Sequence, residues 1–266
     1  MTAHLSKSVA QPNTSVAQAR PEDAGLAGRR IVITGGGRGL GRVVAEDLLA
    51  HGARVVIVGR DSEVPQWIRE NSSGHAVSAD VTDRDRLAAA FTEADAWLGG
   101  IDVVFANAGL SRPGPLATTA PADFSAVLET NVVGTLLTLQ AAVPYLAASG
   151  AGRFIALSSA LAQRIAPGAG AYSISKSAIE TLVRVAAIEL APQSISVNAL
   201  SPGFIDEGMG SNLIANQQVW DKYLPTIAAG RPGRGEEVAG VARFLAGPDS
   251  GYVNGHVLEV NGGLSF

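Results

Sequence analysis

Arg30-Ile31-Val32-Ile33-Thr34-Gly35-Gly36-Gly37-Arg38-Gly39-Leu40-Gly41 opens a stretch that runs on to Arg54-Val55-Val56-Ile57-Val58. Its first five residues carry the unbroken apolar run Ile31-Val32-Ile33 and read as a short buried strand. Val43, Val44, Leu48 and Leu49 then recur at helical spacing, and His51-Gly52 stops the helix. Glycine suits the left-handed C-terminal cap, and His51 lies near the negative helix end. Strand, glycine turn, helix, strand is a βαβ unit, whose right-handed crossover makes the strands parallel. Glycines between a strand and a helix let the backbone approach a pyrophosphate, to which the helix N-terminus presents free N–H groups. The spacing is not Gly-x-Gly-x-x-Gly, so nucleotide binding rests on the βαβ context as much as on the glycines.

The alternation continues on both sides. His75–Ser78, Ile101–Phe105, Arg153–Leu157, Ser194–Leu200 and Val257–Val260 read as further strands. Helical patterns fill about Asp83–Trp97, Pro121–Leu146, Tyr172–Leu190 and Glu236–Leu245. Apolar strands alternating with helices imply an α/β fold, a Rossmann-type doubly wound parallel seven-stranded sheet with helices on both faces. Residues 1–26 have no apolar period and read as a flexible N-terminal tail; residues 27–266 read as a single domain. Only Lys7 and Arg20 charge the tail before Glu22, which leaves little of a transit peptide.

A net charge of -4 argues against nucleic acid or an anionic membrane as partner. Zero cysteines exclude disulfides and thiolate chemistry and fit a cytoplasmic protein. Apolar runs are short and interrupted, so no membrane span is expected. His4, His51, His75 and His256 are scattered without ligand spacing, so no metal is expected. No Gly-x-Ser-x-Gly elbow surrounds Ser158 or Ser159, which removes the hydrolase reading.

Tyr172-Ser173-Ile174-Ser175-Lys176 places a phenol and an ammonium one helical turn apart. A free phenol has a pKa near ~10, and a cation about 4 Å away would favour phenolate by roughly 4 kcal/mol at an effective dielectric near 20. Lys176 is therefore expected to lower the Tyr172 pKa into a working range for acid–base catalysis.

Thr34-Gly35-x-x-x-Gly39-x-Gly41, Asn107-Ala108-Gly109, Ser159, Tyr172-x-x-x-Lys176 and Pro202-Gly203, in that order, resemble the short-chain dehydrogenase/reductase family from about Gly28 to Gly263. The resemblance implies hydride transfer between NADP(H) and a ketone or secondary alcohol. It makes Tyr172 the general acid or base, Lys176 its electrostatic partner and holder of the nicotinamide ribose, and Ser159 the donor to the substrate oxygen. Adjacent residues at a strand end point oppositely, and the thirteen-residue spacing to Tyr172 selects Ser159 over Ser158. Asn131 matches the family asparagine of the proton relay; an amide satisfying a buried backbone group is the other reading, and the two are compatible. Asp80 and Val81 match the adenine edge, although Asp80 could equally be a helix N-cap. Asn107, Ala108 and Gly109 would back the cofactor, and Pro202, Gly203 and Ile205 would support the nicotinamide. Glu207 stands where the family often has threonine, and an ionised carboxylate cannot donate to the carboxamide.

Gly59 occupies the position at which NAD-specific members carry an acidic residue, and Arg60 and Arg38 supply guanidiniums for a 2′-phosphate. Asp61 is the competing ribose acid, more readily read with Ser62 as a cap of the next helix. The resemblance makes the segment from Phe204 to Leu224 a lid over the substrate, and its Met209, Leu213, Ile214, Trp220 and Tyr223 suggest an apolar substrate unless they pack the lid itself. Arg112, Arg164 and Lys222 are the basic residues that an acyl-carrier partner could use. The resemblance implies a homotetramer that pairs the long helices, about Pro121–Leu146 and Tyr172–Leu190, across two-fold axes, and both carry more apolar positions than one core stripe needs. A dehydratase or epimerase on the same scaffold, and a non-catalytic cofactor-binding regulator, are the alternative functions.

Overall fold

Arg30–Thr34, with Ile31, Val32 and Ile33 at its middle, forms β1 inside the sheet, and four of its five residues are buried. The computed structural model describes residues 25–61 and 63–265. The expected tail lies outside them, except that Leu26 is buried in the core, so packing begins before residue 27. The other strands are β2 (Arg54–Gly59), β3 (Gly74–Ser78), β4 (Val103–Ala106), β5 (Gly152–Leu157), β6 (Ile195–Pro202) and β7 (Val257–Val260). They make one seven-stranded sheet in the order β3-β2-β1-β4-β5-β6-β7, parallel throughout. The order reverses between β1 and β4, and an open α/β sheet binds its ligand at such a switch point, outside the carboxyl ends of the strands.

The helices are α1 (Gly39–Ala50), α2 (Gln66–Arg69), α3 (Arg84–Leu98), α4 (Pro121–Leu128), α5 (Gly134–Ser149), α6 (Gly170–Leu190), α7 (Met209–Ile214), α8 (Gln217–Tyr223) and α9 (Gly235–Ala246). Two cores lie on opposite faces of the sheet. Phe91, Leu146, Phe154, Ile179 and Val183 bind α3, α5 and α6 to one face. Val44, Leu48, Ile68, Val238 and Leu245 bind α1, α2 and α9 to the other. A buried, apolar, β-branched strand between two such layers is what continuous hydrophobic runs such as Ile31-Val32-Ile33 encode.

Local chemistry sets the ends. Gly52, just past α1, has φ +85, the left-handed conformation expected of it. Asp83, not Asp80, caps α3, its side chain accepting from the Arg86 N–H. Asp80 instead accepts from the N–H and hydroxyl of Thr82 in a turn. Asp61 does not cap α2, which starts after Pro65 without a side-chain cap. The expected helix 121–146 is interrupted by a π-helical turn, Glu129–Val133, between α4 and α5. Pro121–Ser149 is also long and apolar enough by composition to span a membrane, contrary to the sequence expectation. Here Leu137, Leu139, Ala142 and Leu146 pack it on the sheet.

Candidate active site

Thr34 ends β1 and Ala106 ends β4, side by side in register. The chain therefore delivers the glycine turn and Asn107-Ala108-Gly109 to the same point above the sheet. Asn107 Nδ2 donates to the carbonyls of Thr34 (3.2 Å) and Gly35 (2.9 Å). Side chains at Gly35 and Gly41 would collide with this amide: a Cβ at Gly35 would lie 2.8 Å from the Ala108 Cα, and one at Gly41 would strike the Asn107 Nδ2. Gly35 and Gly39 also have φ +67 and +52. These glycines hold the turn down against Asn107, which leaves the first N–H groups of α1 facing outward. Arg38 precedes α1 and is exposed, and Leu40 lies in its first turn.

At the end of β2, Gly59 has open space around an added Cβ, and Arg60 and Asp61 are exposed. Neither Arg38 nor Arg60 enters an ion pair among the described residues. Val81 is buried against Gly134 of α5, where a Cβ would come within 2.7 Å of the Val81 Cγ2. At the end of β6, Gly203 N donates to Val260 O at 2.9 Å, Pro202 is buried, and Ile205 is buried beside Gly233.

Ser159 ends the β5 connection, and Tyr172 and Lys176 lie in the first turns of α6. The structure brings the three together. Ser159 lies near enough to the Tyr172 phenol to act on its ionisation, and the Ser159 Oγ accepts from Leu161 N at 3.3 Å. Ser158 points the other way and donates to Glu180 Oε1 at 3.0 Å, as alternation at the strand end requires. Lys176 is 2 % exposed, its Nζ donating to Leu157 O at 2.6 Å and lying 5.4 Å from the Tyr172 ring centroid.

The expected electrostatic effect of that pair is overturned. Burial pushes the Tyr172 phenol up to about 12, offset in part by the Ser159 hydroxyl. Burial likewise brings the Lys176 ammonium down to about 7. Desolvation opposes both charges, and an ammonium over the ring face does not reverse that. The arrangement holds a neutral phenol, a loaded proton donor.

Asn131, fully buried in the π-turn, accepts from Leu110 N (2.7 Å) and donates to Leu110 O (2.9 Å) and Ser175 Oγ (2.9 Å). The backbone-satisfying reading of Asn131 is observed, and it leaves one lone pair of Oδ1 unused, so it does not exclude the relay reading. Ser175 Oγ passes the chain on to Tyr172 O at 2.6 Å. Gly109 lies between these groups: a Cβ there would be 3.5 Å from Asn131 Oδ1 and 3.8 Å from Lys176 Nζ. Ser175, Glu180 and the π-turn are the parts sequence reasoning missed; Ser175, inside the Tyr-x-x-x-Lys stretch, was the one with a visible signal.

The lid aromatics pack on one another rather than facing outward. Phe204 meets Trp220 edge-on at 5.8 Å and Tyr223 at 4.8 Å, and Trp220 joins Ala160 and Leu264 in a small core. Met209 stays exposed. Glu207 is half-buried, lining a groove with Arg38, Gly39 and Glu236, and Gly208 rests on Gly39, with a Cβ at Gly39 3.4 Å from the Gly208 Cα.

Residues 35–265 match the family model described as enoyl-(acyl carrier protein) reductase. Gluconate 5-dehydrogenase of Gluconobacter oxydans is 30% identical over 92% of this chain and 98% of its own. The 3-oxoacyl-[acyl-carrier-protein] reductase of Aquifex aeolicus is 33% identical over 90% of this chain and 98% of its own. A solved gluconate 5-dehydrogenase from Burkholderia cenocepacia, in complex with NADP and tartrate, superposes with a TM-score of 0.86 at 33% identity, covering 90% of this chain and 96% of that one. This chain belongs to the short-chain dehydrogenase/reductase family. It is an oxidoreductase of that family, and its seven-stranded sheet is the family's fold. Within this dehydrogenase/reductase, Ser159, Tyr172 and Lys176 meet at the carboxyl edge of the sheet beside the glycine turn.

Proposed function

We propose that the protein is an NADP(H)-dependent ketoreductase, interconverting a ketone and a secondary alcohol. The convergence of Ser159, Tyr172 and Lys176 next to the glycine turn at the switch point carries this reading. The residues fit the cofactor: the cradle at Gly35 and Gly41 is closed to any side chain, and the space beside Gly59 is open. Backbone groups of Gly35, Gly39, Leu40 and Gly41 would hold the pyrophosphate, Arg38 and Arg60 the 2′-phosphate, and Asp80 and Val81 the adenine edge. Asn107, Ala108 and Gly109 would back the nucleotide, with Lys176 on the ribose and Pro202, Gly203 and Ile205 at the nicotinamide. When bound, NADP(H) supplies or accepts the hydride. Tyr172 donates its hydroxyl proton to the carbonyl oxygen during reduction and takes it back during oxidation. Ser159 donates to that oxygen and stabilises its developing charge. Asn131 holds the Leu110 backbone and, through Ser175, the first turn of α6.

The NADP complex of the Burkholderia relative supports the cofactor choice. A free small ketone is favoured over a carrier-bound acyl group. Arg164 is ion-paired with Glu259 at 2.8 Å, and Arg112 lies 3.7 Å from Asp123, which leaves Lys222 alone of the basic residues weighed for a carrier. A cytoplasmic homotetramer acting without nucleic acid or membrane completes the reading. The test is NADPH oxidation by purified protein with ethyl acetoacetate, a 3-oxoacyl thioester and cyclohexanone, together with NADP⁺ reduction on gluconate. Stoichiometric NADPH loss with alcohol formation is expected. Substrate conversion without net NADPH turnover would mean a dehydratase or epimerase, and NADPH binding without any conversion a regulator.

A further inference from the structure

Glu180 sits on α6, four residues past Lys176 and eight past Tyr172, and is 3 % exposed. Burying an ionised carboxylate is costly unless its oxygens are hydrogen-bonded and its charge is paired. Here Oε1 accepts from the Ser158 hydroxyl at 3.0 Å, and Oε2 accepts from Gln163 Nε2 at 3.0 Å and Arg184 NH2 at 3.3 Å. The guanidinium partner is half exposed, so the pair by itself gives little reason to bury the carboxylate. The two other partners explain the placement. Ser158 and Gln163 bracket Ser159 and the short turn Ala160–Ala162. One carboxylate thereby ties both ends of the segment that carries Ser159 to the helix that carries Tyr172 and Lys176.

We infer that Glu180 is a positioning residue for Ser159, setting the spacing between the Ser159 and Tyr172 hydroxyls. The inference rests on the proposed catalytic roles of those two residues. A carboxylate suits the task because both oxygens accept. A glutamine would keep one acceptor for Ser158 but turn an N–H₂ group toward Arg184, a donor, and toward Gln163 Nε2, so the Gln163 amide would have to turn over to accept from it. Misplacement of a catalytic group by about 1 Å can cost up to ~100-fold in rate, so loss of the clamp falls on turnover.

The experiment is a double-mutant cycle. Glu180→Gln and Ser158→Ala are each made in wild type and in Ser159→Ala, and kcat, KM and the NADPH dissociation constant are measured on the fastest ketone of the panel. Each single substitution is expected to lower kcat about tenfold or more while NADPH affinity stays within about twofold. In the Ser159→Ala background the same substitutions are expected to cost less than about twofold, because the group they position is gone. Equal losses in both backgrounds, or a lower melting temperature with kcat retained, would overturn the inference. Should Glu180→Gln not fold, Ser158→Ala removes one hydroxyl and carries the same comparison. If Ser159→Ala alone keeps wild-type turnover, the failure lies in the catalytic reading itself and takes the inference with it.

Discussion

At Lys176 the dominant force is desolvation. The side chain is 2 % exposed and its ammonium is brought down to about 7 from 10.5. Between those values the unfolded chain binds a proton that the folded chain does not, so raising the pH favours the folded state. The cost of Lys176 is complete below about pH 7 and fades as pH rises toward 10.5. We expect Lys176→Met to melt higher than wild type at pH 7, and the gap to narrow by pH 10; thermal melts across that range check it, and a gap that widens with pH would contradict it. The neutral phenol of Tyr172, pushed up to about 12, suits proton donation to a ketone. The Tyr172/Lys176 spacing was legible in the sequence, but its electrostatics were not. A four-residue interval fixes which side chains share a helix face, whereas the size and sign of a pKa shift depend on what covers them.

At the level of elements, the glycine turn and the end of β2 make opposite demands. Gly41 is packed on the Asn107 amide with no room for a methyl, whereas Gly59 faces open space. Gly41→Ala is therefore expected to lower the melting temperature and weaken NADPH binding tenfold or more, by displacing either Asn107 or the turn. Gly59→Asp with Arg60→Ala should fold normally and shift kcat/KM from NADPH toward NADH, since a carboxylate there repels a 2′-phosphate and can bind ribose hydroxyls. Comparing the NADPH/NADH ratio in wild type and the double variant decides it; an unmoved ratio would remove Arg60 from the cofactor site. The strand–turn–helix order that builds this cradle was readable from apolar runs and glycines alone. The π-turn at Asn131 was not, because one extra residue in a helical turn leaves the apolar period of the flanking helices nearly unchanged. The lid aromatics were readable as apolar but not as paired with one another, which only their packing on Ala160 and Leu264 reveals.

For the molecule as a whole, the unexplained surface is apolar. Ile174, Val185 and Ile188 are exposed on one side of α6, eleven and fourteen residues apart, and Leu136 is exposed on α5. Phe244, on α9, and Tyr252, after it, are exposed as well. The proposed tetramer would use such exposed apolar positions at its two-fold interfaces. Val185→Glu with Ile188→Glu should convert the wild-type assembly to smaller species in light scattering; a wild type that is already monomeric at micromolar concentration would contradict the proposal. The parallel sheet and its switch point were legible from strand–helix alternation, and with them the place where a nucleotide would lie. The claim on which the rest depends is that Tyr172 donates the proton. Its most direct test is the kcat of Tyr172→Phe for ketone reduction, measured beside its NADPH dissociation constant. A fall of about 100-fold or more with NADPH affinity nearly unchanged is predicted; retention of more than about a tenth of the wild-type rate would contradict it.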